Sequence, residues 1–239
     1  MNKVNNRLKR SFLYGVCLAS LSFSISSFAT GMVPETSVLL VDESKGEASL
    51  NVKNTDPQPA LLYTRVLDVE GEDKSIALVV TQPVVRLEAG KSQRVRFILQ
   101  TKAPLAVEHL KRVTFEGIPP KEKGKNQVAM TIRQNIPVII HPAGLAEDIE
   151  PWKRLQWHKK GAQLVVENPS PYIVRLGQQV QGMPGNIVGQ LPKTWIQPGE
   201  KLTVAVTENA SLSSAKQITF FPASRYGYQG KSYTSDLAD

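Results

Sequence analysis

The sequence predicts an all-β protein built as two immunoglobulin-like β-sandwich domains. Three observations lead there. Apolar residues recur at every second position or in short runs, the periodicity of strands. Clusters of Gly, Pro, Asn and Asp separate these runs, and the chain carries 16 Gly and 16 Pro in 239 residues. No stretch shows the three-to-four-residue apolar spacing of an amphipathic helix. A composition of 41% hydrophobic and 21% charged residues is that of a globular protein.

Residues 1–29 stand apart. Lys3, Arg7, Lys9 and Arg10 form a basic start without acids, Ser11 to Ile25 is apolar, and Ser27-Phe28-Ala29 places small residues before Thr30. This is the pattern of a secretory signal peptide. The apolar run is short and serine-laced for a membrane span, which takes about 20 residues. Tyr14-Gly15-Val16 ahead of Cys17 is not a lipobox. Processing at this point would lower the net charge from +8 to about +4, too little for a dedicated nucleic-acid binder. It would also remove Cys17, the only cysteine. The processed chain is then expected to fold in an oxidising compartment, without membrane insertion, disulfide, thiol nucleophile or cysteine metal site.

The first domain is expected over residues 30–142. Ser37–Val41 and Ala48–Lys53 read as strands, the second alternating strictly and broken by Asn54-Thr55-Asp56-Pro57. Leu61–Val69, Ile76–Thr81 and Val84–Leu87 follow, then a turn at Glu88–Lys91 into Gln93–Leu99. Arg112–Phe115, Ile118-Pro119-Pro120, the charged loop Lys121–Asn126 and the run Gln127–Ile140 close the domain. Pro137 lacks an N–H and is expected to interrupt pairing in that last run. His141-Pro142-Ala143-Gly144 marks the boundary. A second, smaller sandwich is expected over 143–239, with strands around Trp157, Leu164–Glu167, Ile173–Leu176, Lys193–Ile196, Leu202–Val206 and Ile218–Phe221. No internal sequence repeat is evident.

Catalytic signatures are missing. Gly90-Lys91-Ser92 and Gly230-Lys231-Ser232 end like phosphate-binding loops, but the earlier glycine such a loop needs is Val85 in one and Arg225 in the other. His109, His141 and His158 fall at no metal-ligand spacing, and there is no G-x-S-x-G elbow. The expectation is therefore a non-enzymatic protein without cofactor.

The chain's motifs supply a more specific reading. Pro83 and the stretch Val84 to Arg96 resemble the P-P-x-x-R-L-x-P-G-x-x-x-x-x-R segment of periplasmic pilus chaperones, with Ala89 in place of the usual Pro. Ile118-Pro119-Pro120, Asn168-Pro169-Ser170-Pro171-Tyr172 and Ile196-Gln197-Pro198-Gly199 resemble three further motifs of that family, in order. Over about residues 31 to 230, nearly the whole processed chain, the sequence is similar to the PapD-like chaperones of the chaperone–usher pathway.

The resemblance implies two immunoglobulin-like domains set in an L. It also implies donor-strand complementation: a last strand lent to an incomplete pilus subunit, which is then delivered to an outer-membrane usher. On this sequence the donor side chains would be Val128, Met130 and Ile132, alternate positions of one strand face. The adaptable Met suits a chaperone meeting several subunits. The two basic positions with which the family holds the subunit's terminal carboxylate fall here at Ser37 or Val38 and at Pro137. Candidate replacements are Arg133, Arg112, Lys111 and His141. An interdomain ion pair of the family maps, with exchanged charges, to Glu108 and Arg225. An apolar donor edge would also make a self-capping oligomer of the free protein plausible.

Two other function classes are weighed. A structural pilin or adhesin fits less well, because the first domain carries a full strand set and the processed chain lacks a cysteine pair. In a carbohydrate-binding module Trp152, Trp157 and Trp195 would stack on sugar rings, but core packing accounts for them more simply.

Overall fold

The computed structural model describes residues 31–120, 131–161, 163–184, 187–206 and 212–238. The first domain contains β1 (Met32–Pro34), β2 (Leu39–Asp42), β3 (Glu47–Asn54), β4 (Ala60–Asp68), β5 (Ala77–Val80), β6 (Val84–Leu87), β7 (Ser92–Gln100), β8 (His109–Ile118) and β9 (Arg133–His141). Their order is β5-β7-β3-β2-β9-β8-β4-β6, with β1 on β3. The second contains β10 (Gln156–Lys160), β11 (Gln163–Glu167), β12 (Val174–Met183), β13 (Ile187–Gln190), β14 (Trp195–Ile196), β15 (Lys201–Val206), β16 (Gln217–Pro222) and β17 (Tyr233–Ala238). There the order is β13-β15-β11-β10-β17-β16-β12-β14.

Alternation decides which faces turn inward. In β7, Val95 and Phe97 are buried while Arg94 and Arg96 are exposed. Val95 and Phe97 join Leu50, Leu62, Val113, Phe115 and Val138 in the first core. Fully burying one such side chain stabilises by about 1.5–3 kcal/mol. The second core gathers around Trp157, with Leu164, Val166, Leu176, Val180, Ile218 and Phe220. The Trp157 and Phe220 rings lie 5.3 Å apart.

A third, smaller apolar cluster joins the domains: Val38, Leu110 and Ile139 from the first and Ile173 from the second, with Leu40, Val69 and Trp195 packed against them.

Both domains use the same asparagine corner, although their sequences show no repeat. The Asn54 side-chain amide donates to the carbonyls of Gln58 and Leu87, each at 3.0 Å. That of Asn168 donates to Tyr172 (2.7 Å) and Ile196 (3.1 Å). The backbone of each is held by a turn: Gly90 N–H donates to Asn54 O, and Gly199 N–H to Asn168 O. Each side chain thereby satisfies carbonyls that would otherwise be stranded at a sheet corner.

Two expectations need correction. The last strand of the first domain, expected over Gln127–Ile140, begins among the described residues at Arg133, with Thr131 and Ile132 outside it. Its ladder with β8 starts at Glu116↔Arg133; at the next β8 position Met32 packs over Gly117. Pro137 does not interrupt the strand: the register runs on through Arg112↔Pro137 to His109↔Ile140. A missing N–H is tolerated there because, among the described residues, β9 has a neighbour on only one side up to that residue.

Candidate functional site

The crossing of the first strand pair creates the site. β1 pairs antiparallel with β3, from Met32↔Asn54 to Pro34↔Val52. Five residues later the same chain segment has crossed to β9, and β2 pairs parallel with it from Leu39↔Val138 to Asp42↔His141. On that side of β9, Arg133–Pro137 therefore have no ladder partner among the described residues. A groove of about 740 Å³ runs along this open edge. Its walls include Val33, Leu39, Leu50, Gln134 and Ile136 from the first domain and Tyr226 and Tyr228 from the second. Ile132, just ahead of β9, is 44% exposed. Val128 and Met130 lie outside the described residues.

The four cations proposed to anchor a carboxylate meet different fates. Arg133 is half-exposed and paired with Glu116 at 2.7 Å. The Lys111 side chain is 1% exposed and donates to Asp68 Oδ1 at 2.6 Å. His141 has both ring nitrogens engaged, Nδ1 with Glu108 Oε1 (2.8 Å) and Nε2 with Leu145 O (2.9 Å). Arg112 has only uncharged partners among the described residues: Nε donates to Asn135 Oδ1 (2.7 Å) and Nη2 to Asn135 O (2.9 Å). Arg112 is also the cross-strand neighbour of Pro137. Its guanidinium stacks over Trp195 at 5.9 Å from the ring centre. At the other two positions, Val38 is buried in the interdomain cluster and the Ser37 hydroxyl donates to Tyr226 O at 2.9 Å.

Glu108 is the hub between domains. It is 5% exposed. Its Oε1 meets His141, and Arg225 Nη1 lies 3.5 Å from the same oxygen. Its Oε2 accepts from Ile173 N–H at 2.9 Å, and its own N–H donates to Pro171 O at 2.8 Å. A second, unexpected carboxylate does similar work. Glu72 Oε1 meets His109 Nδ1 at 2.8 Å, while Oε2 accepts from Leu110 N–H (3.3 Å) and from Gln197 Nε2 of the second domain (3.4 Å). Glu72 and His109 are 37 residues apart, so no local spacing could have announced the pair.

Sequence reasoning also missed Arg175. It sits on β12 opposite Trp195 of β14. Burial lowers its pKa from the usual arginine range, and the nearby Arg112 charge lowers it further. Burial lowers that of Arg112 too. Of the tryptophans, Trp157 is buried in the second core, Trp152 is packed against it, and Trp195 lies at the junction.

The relatives of this chain are consistent in kind. The family model described as the PapD N-terminal domain of pili and flagellar-assembly chaperones matches residues 31–146. The PapD C-terminal domain of pili assembly chaperones matches residues 150–234. The chain belongs to the pili assembly chaperone family. This chaperone is 51% identical over 217 residues to the fimbrial chaperone YhcA of Escherichia coli strain K12, covering 91% of this chain and 95% of YhcA. It is 29% identical to the chaperone protein LpfB of Salmonella typhimurium, over 62% of this chain and 66% of that protein. In fold it is similar to a chain of the Salmonella enterica SafA pilin–SafB chaperone complex. There the TM-score is 0.71 at 20% identity, over 89% of this chaperone and 99% of that chain.

Proposed function

We propose that this chaperone works in the periplasm, without enzymatic activity, by lending the β9 edge and the residues before it to an incomplete pilus subunit and passing that subunit to an outer-membrane usher. The observation that carries the reading is the open edge of Arg133–Pro137 beside an apolar groove. An exposed edge is a template for another strand. A strand laid along it would gain backbone hydrogen bonds, each worth about 0.5–1.5 kcal/mol net. Apolar side chains of the donor segment fill the subunit's pockets, and burying the 44% of Ile132 still exposed would add about 1 kcal/mol. By the alternation of the sequence, Val128 and Met130 would be the other two donor side chains. Export would be directed by residues 1–29. In this reading Arg112, the one candidate cation without an acidic partner among the described residues, holds the subunit's terminal carboxylate.

The test is co-expression of the tagged protein with candidate secreted pilus subunits. The wild type is expected to co-purify one-to-one with a subunit and to protect it from degradation. Ile132→Glu and Met130→Glu are expected to keep a native thermal transition and lose the complex. A complex that survives both substitutions would move the binding surface away from the donor segment and overturn the mechanism.

A further inference from the structure

Among the described residues the β8–β9 ladder begins at Glu116↔Arg133, and Thr131 and Ile132 lie ahead of the strand. Side chains carry the hold of β8 further back than the backbone does. Glu116 divides its carboxylate between two residues. Its Oε2 accepts from Arg133 Nε at 2.8 Å and lies 2.7 Å from Arg133 Nη2. Its Oε1 accepts from the Thr131 hydroxyl at 3.3 Å. Successive side chains of an extended chain point to opposite faces. Tying Thr131 and Arg133 to one carboxylate therefore turns Ile132, between them, to the other face. The first strand lies on that face: a Cβ on Gly117, the β8 residue after Glu116, would meet Met32, and a Cβ on Gly31 would lie 3.7 Å from the Ile132 Cβ. The side chain of Arg133 is 58% exposed and that of Glu116 17%. An ion pair so open to solvent adds little to the stability of the fold, because it is screened and its side chains lose freedom. Its effect falls instead on the short stretch that the ladder does not hold. A segment ordered before its partner arrives has less freedom to lose on binding.

We propose that Glu116 is a positioning residue for strand donation: it clasps Thr131 and Arg133 on one face of the chain and so presents Ile132, still 44% exposed, on the face that enters the subunit. The clasp rests on the function proposed above and adds to it a residue that lies outside the donor segment. It also gives Arg133 a task, which is to hold the donor residue in place and not to meet the subunit's charge.

The experiment uses the processed protein and has two readouts. In the free protein with labelled isoleucine methyl groups, nuclear Overhauser spectroscopy reports the contact between Ile132 and Gly31. In competition, wild type and a variant with different tags are co-expressed with one pilus subunit that co-purifies with the wild type, and their shares of it are compared. Glu116→Ala is expected to keep the thermal midpoint, lose the Ile132–Gly31 contact and take about tenfold less subunit, the effect of one more residue to be ordered on binding. Glu116→Gln, which can still hydrogen-bond both Arg133 and Thr131, should keep most of the contact and recover part of the share. Exchanging the charges, Glu116→Arg together with Arg133→Glu, should restore what each single change loses. A contact retained in Glu116→Ala, an equal share of subunit, or no recovery on exchanging the charges would each overturn the positioning role. The two kinds of failure are distinct. Absence of any complex with the wild type removes strand donation and the role with it, whereas a wild-type complex that Glu116→Ala matches removes the clasp alone.

Discussion

Asn168 shows how much one side chain can hold. Its amide serves two carbonyls, and its Oδ1 accepts from Ser170 N–H (3.1 Å) and Ser170 Oγ (2.6 Å). It is fully buried, so water cannot replace these partners. Asn168→Ala is expected to destabilise the second domain by about 1–3 kcal/mol. A lower urea midpoint with an unchanged slope would show it. The sequence marks this residue only as the start of an Asn-Pro-Ser-Pro turn. Its partner Ile196 lies 28 residues on, and only the folded corner brings the two together.

Among the elements, the crossing between β1 and β2 decides where the open edge lies. Glu35 pins it: Asn51 N–H donates to Oε1 at 2.7 Å and the Asn51 amide to Oε2 at 2.9 Å. The backbone bond from Asn51, followed by its side-chain bond, lowers the Glu35 pKa below the usual carboxylate range. A carboxylate whose folded pKa is depressed adds stability above its unfolded value, near 4.3, and loses it as pH falls through the folded pKa. Wild type is therefore expected to melt higher than Glu35→Gln at neutral pH, with the gap closing as pH drops below about 4. A gap that is constant with pH would mean the carboxylate charge plays no part. Here the alternation of Ala48–Lys53 made β3 legible, whereas β1, only three residues long, is too short to show a period. The length of β9 was misjudged for a related reason. Alternation continues through Thr131 and Ile132, but among the described residues pairing with β8 begins at Arg133, because a ladder needs a partner and not only a pattern.

At the scale of the whole molecule, the junction is polar as well as apolar. Glu108 connects His141 of the first domain to Ile173 N–H and Arg225 of the second. Arg225 is 15% exposed, so this is a shielded network and not a surface ion pair. Removing one member of a buried ionic network commonly costs about 3–5 kcal/mol. Glu108→Ala is expected to uncouple the domains: calorimetry should resolve two transitions where the wild type is expected to show one, and solution scattering should report a broader range of interdomain distances. An unchanged single transition would assign the coupling to the apolar cluster around Val38 and Ile173 instead. Gly227 adds a steric reason for the close approach. Its φ is +89°, and a Cβ there would lie 2.5 Å from Ser37 Oγ, so only glycine lets this loop reach the first domain.

By itself the sequence determined the all-β class, most of the strands, the two-domain division and the family resemblance. These rest on local periodicity, turn residues and motifs, which survive in one dimension. The tertiary structure alone decided that β9 keeps an open edge and that Pro137 is accommodated within it. It also decided that three of the four candidate cations are already occupied and that Arg112 meets Arg175 at Trp195. Each of these depends on which strand lies beside which, and contacts between residues tens of positions apart leave no periodic trace in the chain. They arise when apolar faces collapse into cores and the remaining polar groups must find partners in whatever the fold has placed nearby.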